Sequence, residues 1–359
     1  MIKGAKYGKT LRETLLNYKI TEYIDYSNEK IFDNATVDVS TILINKDNPK
    51  NNEIKISNSY TMKQEYLEID GYNFMKNNLF QLKNKLLKYP PIKNIEGIFI
   101  NRGVTTWFNK AFVIDEDVKN QLQEGDMSII KPVLRGKDIN KFQINYQNLY
   151  LIFSRRGIDI NEYVTVKEYL TNFKKELTPR KKGNNSDIGR KPGDYKWYEI
   201  QDTTKYYSEF EKDKIIWKEI STEPSFTLDK NKYYLLNNAY FLTSTINLNY
   251  LLSIFNSNVA KWFFDINSIN LGSRGRRFTR QYVEKLPIKL PKSYEEESIF
   301  DEDITKLLSF KKELQNVKTP KERKLLQKQI ESTDKKINQM IYELYDLTEE
   351  EIKIIEENI

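Results

Sequence analysis

Arginine has the most to offer chemically in this sequence, and it is bunched. Gly272-Ser-Arg-Gly-Arg-Arg-Phe-Thr-Arg280 places Arg274, Arg276, Arg277 and Arg280 at a strand-to-helix transition. A guanidinium is a planar fork that clamps phosphate or reads O6 and N7 of guanine. A second cationic stretch gathers Lys174, Lys175, Arg180, Lys181, Lys182, Arg190, Lys191 and Lys196 around the polar centre Gly183-Asn-Asn-Ser-Asp-Ile-Gly189, with Trp197 and Tyr198 at its exit. Such a loop suits phosphate contact and groove entry. A solvated loop from an AT-rich gene is the competing reading. Arg155-Arg-Gly157 is a smaller third group. Lys, Asn and Ile are abundant throughout, so lysines carry less information here than arginines.

Other chemistry is restricted by composition. The 359 residues include neither histidine nor cysteine. Ser-His-Asp and Cys-His mechanisms, thiolate chemistry and His or Cys metal sites are thereby excluded. Any metal site would have to be built from oxygen ligands alone. Glu53-Ile-Lys55 resembles half of an acidic-Lys nuclease motif, but no Pro-Asp precedes it at a useful distance, and a solvated strand face is the simpler reading. Asp301, Glu302 and Asp303 stand where a helix N-terminus favours acids, so no metal is assigned. The net charge of +7 suits a polyanion partner. No long apolar run or signal peptide is present, and a cytoplasmic protein without a membrane partner is expected.

The elements that must position these residues can be read from periodicity. Leu11 to Leu16 forms a short helix; Ile20 to Tyr26 and Ala35 to Ile44 form strands, with a loop over Asn45 to Asn52. Helix follows over Asn77 to Leu87, broken at Tyr89-Pro-Pro-Ile92. Strands are expected over Asn148–Phe153, Lys214–Ile220 and Ala239–Leu242, and helices over Asn249–Asn256 and Val259–Phe264. Thr319-Pro-Lys-Glu322 is a helix start, with Thr as N-cap and Pro at the first position. The stripe Leu326, Ile330, Thr333, Ile337, Met340, Leu344 suits an antiparallel partner through Ile304, Leu307, Leu308 and Phe310. Thr348-Glu-Glu-Glu351 is a capping box for a terminal helix.

The run Gly97-Ile-Phe-Ile-Asn-Arg-Gly-Val-Thr-Thr-Trp-Phe-Asn-Lys-Ala-Phe-Val-Ile114 is followed in order by Lys131-Pro-Val-Leu-Arg-Gly-Lys-Asp-Ile139, Trp197-Tyr-Glu-Ile200 and Asn237-Asn-Ala-Tyr-Phe-Leu242. This series resembles the C-terminal target-recognition region of TaqI-like adenine-N6 DNA methyltransferases and type IIG restriction-modification enzymes. The resemblance is best from Gly97 to Leu290. Leu11-Arg12, Ile24-Asp25, Phe32 and Ala35 resemble the tail of the methyltransferase sheet; a generic helix–strand–strand unit is the alternative. In the opening run, Gly103 suits a tight turn, Thr106 and Asn109 suit loop hydrogen bonds, and Ala111, Phe112 and Ile114 read as core. Trp107 stands where the family usually has glycine. Lys131-Pro132 and Arg135-Gly-Lys-Asp138 read as a turn, with Arg135 either on phosphate or paired with Asp138.

The resemblance implies an α+β fold: a methyltransferase-sheet remnant over 1–60, a mixed target-recognition domain over 61–292, and an antiparallel helical arm over 293–359. It implies double-stranded DNA as a partner, contacted by Arg155, Arg156, Lys174, Lys175, Arg180, Lys181, Lys182, Arg190, Lys191, Trp197, Arg274, Arg276, Arg277 and Arg280. It also implies a methyltransferase catalytic domain or subunit as the second partner. The Gly-rich loop for S-adenosylmethionine and the Asn-Pro-Pro-aromatic loop are missing. Tyr89-Pro-Pro-Ile92 cannot replace the latter. No catalytic residue and no cofactor are therefore expected in this chain, S-adenosylmethionine belonging to the partner or to sequence upstream of Met1. A type I-like specificity subunit and a non-catalytic interaction protein are the alternative readings.

Overall fold

In Lys19-Ile-Thr-Glu-Tyr-Ile-Asp25 a register shift between Ile20 and Glu22 interrupts the alternation, so that Ile20 and Tyr23 both lie under cover while Thr21, Glu22 and Ile24 stay partly open. Burial of such faces organises each of two units, Met1–Lys88 and Tyr89–Ile359, in the computed structural model. The structure describes all residues except 1–7, 27, 28, 30, 33–38, 70, 73, 182, 184–187, 204 and 270.

The first unit runs α1 (Lys9–Leu16), β1 (Lys19–Asp25), β2 (Ser40–Asn45), β3 (Glu53–Ile56), β4 (Tyr60–Lys63) and α2 (Asn77–Leu86). Its sheet is ordered β2-β1-β3-β4, with β1 and β3 parallel and the other neighbours antiparallel. The expected strand over 35–44 is described from Ser40; residues 35–38 lie outside the described residues. Ile20, Tyr23, Ile54, Ile56, Met62, Leu67 and Tyr72 close a small core. Beside it, Asn52 donates to the Ile20 carbonyl at 2.6 Å and to Gln64 Oε1 at 2.8 Å, and Gln64 donates to the Tyr18 carbonyl at 2.8 Å. These bonds satisfy buried backbone groups that would otherwise cost about 1–3 kcal/mol each. Arg12 is buried and donates from Nε to the Ile69 carbonyl at 2.6 Å. Lys55 of β3 pairs with Glu22 at 3.1 Å beside an exposed Glu53. That strand face is solvated and held by a salt bridge.

The second unit begins with β5 (Ile98–Arg102), α3 (Asn109–Phe112), β6 (Val113–Ile114), α4 (Glu116–Lys119), β7 (Ile130–Leu134), β8 (Ile139–Asn140), β9 (Gln143–Ile144) and β10 (Tyr150–Ile152). It continues with α5 (Val164–Thr171), α6 (Lys174–Leu177), β11 (Lys214–Lys218), β12 (Ile220–Ser221), β13 (Phe226–Asp229), β14 (Tyr234–Leu235) and β15 (Ala239–Ser244). Then come α7 (Leu248–Phe255), α8 (Asn258–Asn267), β16 (Arg276–Arg277), α9 (Arg280–Val283), α10 (Tyr294–Ser298), α11 (Asp301–Asn316), α12 (Pro320–Leu344) and α13 (Glu349–Glu357). The architecture is α+β. Two sheets, β14-β7-β10-β6 and β13-β11-β15-β5, share a core that includes Val104, Phe112, Leu134, Leu151, Ile216 and Phe241.

Inside this unit Lys214 and Asp229 are fully buried and pair at 2.7 Å across β11 and β13. Lys214 also donates to the Phe210 carbonyl, and Asp229 accepts from the Asn231 and Tyr233 amides. Burial pulls the Lys214 pKa down and pushes that of Asp229 up, each against the attraction of its partner. Removing either partner would leave an uncompensated charge, at a cost of about 3–5 kcal/mol.

The helical segment matches its sequence signals. Thr319 caps α12 through the Glu322 amide with Pro320 at the first turn, and Thr348 with Glu351 forms the reciprocal box of α13. Helices α11 and α12 pack together, and Asp303 pairs with Lys336 at 2.7 Å. Lys131-Pro132 is corrected from turn to strand: both lie in β7, opposite Leu151 and Tyr150. The turn begins at Arg135, whose guanidinium grips the Asp138 carboxylate at 2.8 and 2.9 Å.

Candidate nucleic-acid interface

The chain leaving β5 is pressed against β14. A Cβ at Gly103 would lie 2.3–2.5 Å from backbone atoms of Leu235 and Leu236, so only glycine fits. Close approach, rather than the turn expected from the sequence, is the reason for this glycine. The amides of Gly103 and Val104 donate to the Ala239 and Leu235 carbonyls at 2.8 and 2.7 Å. Next, buried Thr106 bonds Asn109 through its hydroxyl and accepts from the Phe108 amide at 3.2 Å. Between them Trp107 sits at φ +65° with 46% of its surface exposed. A bulky side chain in the left-handed region is an outlier that costs on the order of 1–3 kcal/mol. Such strain is kept only where the surrounding bonds impose it.

Arg190 is one of those bonds. It is 3% exposed. Its guanidinium donates to the carbonyls of Leu177 at 2.7 Å, Trp197 at 2.9 Å, Lys196 at 3.3 Å and Thr106 at 3.4 Å. It also packs over the rings of Tyr195 at 4.6 Å and Phe112 at 5.4 Å. Burial draws its pKa down to about 10, against the pull of Tyr195 and Glu199, so the side chain stays cationic at neutral pH. The expectation that Arg190 touches DNA is therefore corrected. It is a structural cation that ties the Thr106–Trp107 loop to the basic segment.

Around Arg190 the basic segment is arranged as a loop closed at its base. Arg180 and Arg190 join through the Arg180 amide and Arg190 carbonyl at 2.9 Å, and Gly189 turns the chain at φ +95°. Lys174, Lys175, Lys181 and Lys191 are exposed. Lys191 Nζ lies 4.4 Å from the Trp107 ring centre, and Lys174 Nζ lies 5.4 Å from that of half-buried Trp197. Trp107, Phe108, Lys175, Arg180, Ile188 and Lys191 border a cleft of about 410 Å³. Lys182 and the centre 184–187 lie outside the described residues. Arg156 joins the same group: it donates to the Gln201 carbonyl at 2.8 Å and its guanidinium lies 5.6 Å from the Tyr195 ring. Arg155 is exposed and lies over Tyr207 at 5.3 Å.

The arginines from 274 to 280 stand on other elements. β16 pairs with β12, and Trp217 of β11 anchors the segment by donating to the Phe278 carbonyl at 2.8 Å. Gly275, at φ +89°, brings its Cα so close to Ser221 that a Cβ would meet that carbonyl oxygen at 2.2 Å. Arg276 pairs with Asp265 and donates to the Ser268 carbonyl at 3.3 Å. Arg277 lies 3.6 Å from Glu219, and Arg280 lies 3.0 Å from Glu284 one helical turn on. Arg274 is exposed at the tip. The cluster that stands out in the sequence is thus largely answered by carboxylates.

Trp107 is the residue that sequence reasoning left out of the site. Its signal was an aromatic residue at a position expected to be glycine; its exposure and backbone strain emerge only from the fold.

Tyr89-Pro-Pro-Ile92 clamps the chain to 286–288: the Ile92 amide donates to the Leu286 carbonyl at 3.0 Å, the Ile288 amide to that of Pro90 at 2.9 Å. Its prolines are framework, and the segment does not fit a target amine or S-adenosylmethionine. Asp301 accepts from Asn247 and Asn249, and Glu302 pairs with Lys306. Among the described residues no group of three or more acidic side chains converges as a metal site, and no helix is long and apolar enough to cross a membrane.

An α+β unit with cationic and aromatic side chains gathered on loops at its surface is the class that fold and site define. Residues 131–288 match the family described as the TaqI-like C-terminal specificity domain. The match begins after the Gly97–Ile114 run, although β5 and β6 from that run complete the sheets of the matched segment. Among solved structures, the type IIL restriction-modification enzyme MmeI in complex with DNA is similar, with a TM-score of 0.56, 13% identity, and coverage of 99% of this chain and 48% of that one. The type IIG restriction endonuclease BpuSI aligns with a TM-score of 0.42 and 12% identity over 96% of this chain and 46% of that one. The chain spans about half the length of these two enzymes. No curated protein matches it.

Proposed function

We propose that this chain recognises DNA sequence for a restriction-modification system related to type IIG adenine-N6 methyltransferases, and positions a catalytic domain or subunit on the target site. The observation that carries the reading is the specificity-domain match over residues 131–288. Supporting it, the matched segment holds the basic loop from Lys174 to Lys191 on a rigid frame centred on Arg190. Exposed Lys174, Lys175, Lys181 and Lys191, with Arg155 and Arg274, meet phosphates, and the loops around them read bases. In this reading residues 61–292 form the recognition domain, the helices from 293 onward dock the catalytic partner, and residues 1–60 are related to the end of a methyltransferase sheet. The phosphate contacts make binding salt-dependent and supply most of the sequence-independent affinity.

A pool of randomised duplexes, selected on the purified chain and sequenced, tests this reading. Enrichment of one motif is expected. Retention without enrichment removes the sequence-reading role, and no retention removes the DNA reading altogether. S-adenosylmethionine is expected to give no calorimetric signal with the chain; micromolar binding would contradict the placement of catalysis elsewhere.

A further inference from the structure

We infer that the cleft beside Trp107 is a nucleotide subsite, in which the Trp107 indole stacks on a base that has left the duplex stack and the flanking cations hold its phosphate. The inference rests on the DNA reading above and adds a residue and a substrate state to it. Three independent observations converge on Trp107. It is a large aromatic side chain left 46% exposed. It holds a left-handed backbone that glycine would adopt without strain. It borders a cleft of about 410 Å³, within the range of small-molecule sites and too small to admit a duplex.

The surroundings specify the ligand chemistry. Phe108 and Ile188 give the cleft apolar walls, and Lys175, Arg180 and Lys191 give it cationic ones, with Glu176 as the acid among the lining residues. A planar apolar body with an anionic group attached fits that division. The Lys191 ammonium already rests over the indole at 4.4 Å, where the ring quadrupole attracts a cation. An arriving base takes that place on the ring, and Lys191 swings to the phosphate the base carries. Binding thus exchanges one interaction of each partner for a better one. Stacking of this kind is sequence-tolerant because every base presents a π-face, so Trp107 contributes affinity for an unstacked nucleotide rather than base identity.

Thr106, Asn109 and Arg190 fix the loop before any ligand arrives. Arg190 is a positioning residue here: it forms part of the cleft wall, and its guanidinium reaches the Thr106 carbonyl and keeps the strained backbone in place.

The test compares three fluorescent DNA probes of one sequence on the full chain: perfect duplex, duplex with one unpaired 2-aminopurine, and single strand. W107A is expected to lose about tenfold or more in affinity for the two probes with an unstacked base and little for perfect duplex. W107F is expected to stay within about threefold of wild type, because a phenyl ring still stacks. The 2-aminopurine emission is quenched by wild type and not by W107A. W107G provides the control for folding: with the strain removed it melts above wild type while losing the same affinity. Unchanged affinities and unchanged quenching in W107A, with salt-sensitive duplex binding intact, overturn the subsite and leave the DNA reading standing. Failure of every probe to bind overturns both.

Discussion

The two cationic groups of the second unit differ in what their charges are given to face. Arg276, Arg277 and Arg280 lie along β16 and α9, and Asp265, Glu219 and Glu284 each stand against one of them, while Arg274 sits exposed at the preceding turn. From Lys174 to Lys191 the exposed cations are lysines, and the one deeply buried arginine, Arg190, is spent on backbone carbonyls. Arginine holds the frame in both places because its fork satisfies several acceptors at once. Lysine, the less distinctive residue in this composition, is the one left pointing outward. Residue type alone does not show which cations are paired, because Asp265 and Glu219, the partners of Arg276 and Arg277, are distant from them in sequence.

Breaking the frame should have the largest effect. Arg190→Ala leaves several buried carbonyls without a donor and empties the space between Tyr195 and Phe112. A loss of about 3–5 kcal/mol in urea unfolding is expected, and Arg190→Lys should recover only a minor part because an ammonium cannot reproduce the fork. A loss below about 1 kcal/mol would show that the loop does not depend on it.

Next come the exposed lysines. The triple variant Lys174→Ala, Lys175→Ala, Lys191→Ala should leave melting nearly unchanged and flatten the slope of log affinity against log salt by about 2–3. An unchanged slope would move the phosphate contacts elsewhere. In the arginine group the two ends should separate. Arg274→Ala should reduce the slope by about 1 without affecting stability. Arg276→Ala should mainly destabilise, by about 1–2 kcal/mol, since it frees the half-buried Asp265 from its partner. Equal effects of the two on the salt slope would restore the cluster as one DNA-facing patch. Arg280→Ala marks the floor: its pair with Glu284 is exposed and lies one helical turn apart, so about 0.3–0.5 kcal/mol of thermal stability is at stake.

Much of the fold was legible because it rests on local signals. Thr319-Pro320 and Thr348-Glu351 mark helix starts by side-chain reach alone, and the structure forms both caps. The strands at Lys214 and Ala239 and the helices at Leu248 and Asn258 follow from apolar runs long enough to be buried. What stayed hidden depends on contacts across the chain. Gly103 is glycine because β14 crosses it, more than 130 residues later in sequence. Arg190 is framework because Thr106, Leu177 and Trp197 meet around it. Arg135 had two readings, and the proximity of Asp138 in the folded turn decided for the salt bridge. Trp107 could be seen as a departure from pattern, but a backbone angle has no sequence signature of its own.

The central claim is that the exposed cations of the Lys174–Lys191 loop bind phosphate. Fluorescence anisotropy of a labelled duplex, titrated with the full chain from low to moderate salt, measures it directly. The account predicts a steep fall in affinity, with a log–log slope of about −3 or steeper, that becomes shallower in the lysine triple variant. A flat salt dependence, or a slope identical in the variant, would contradict it.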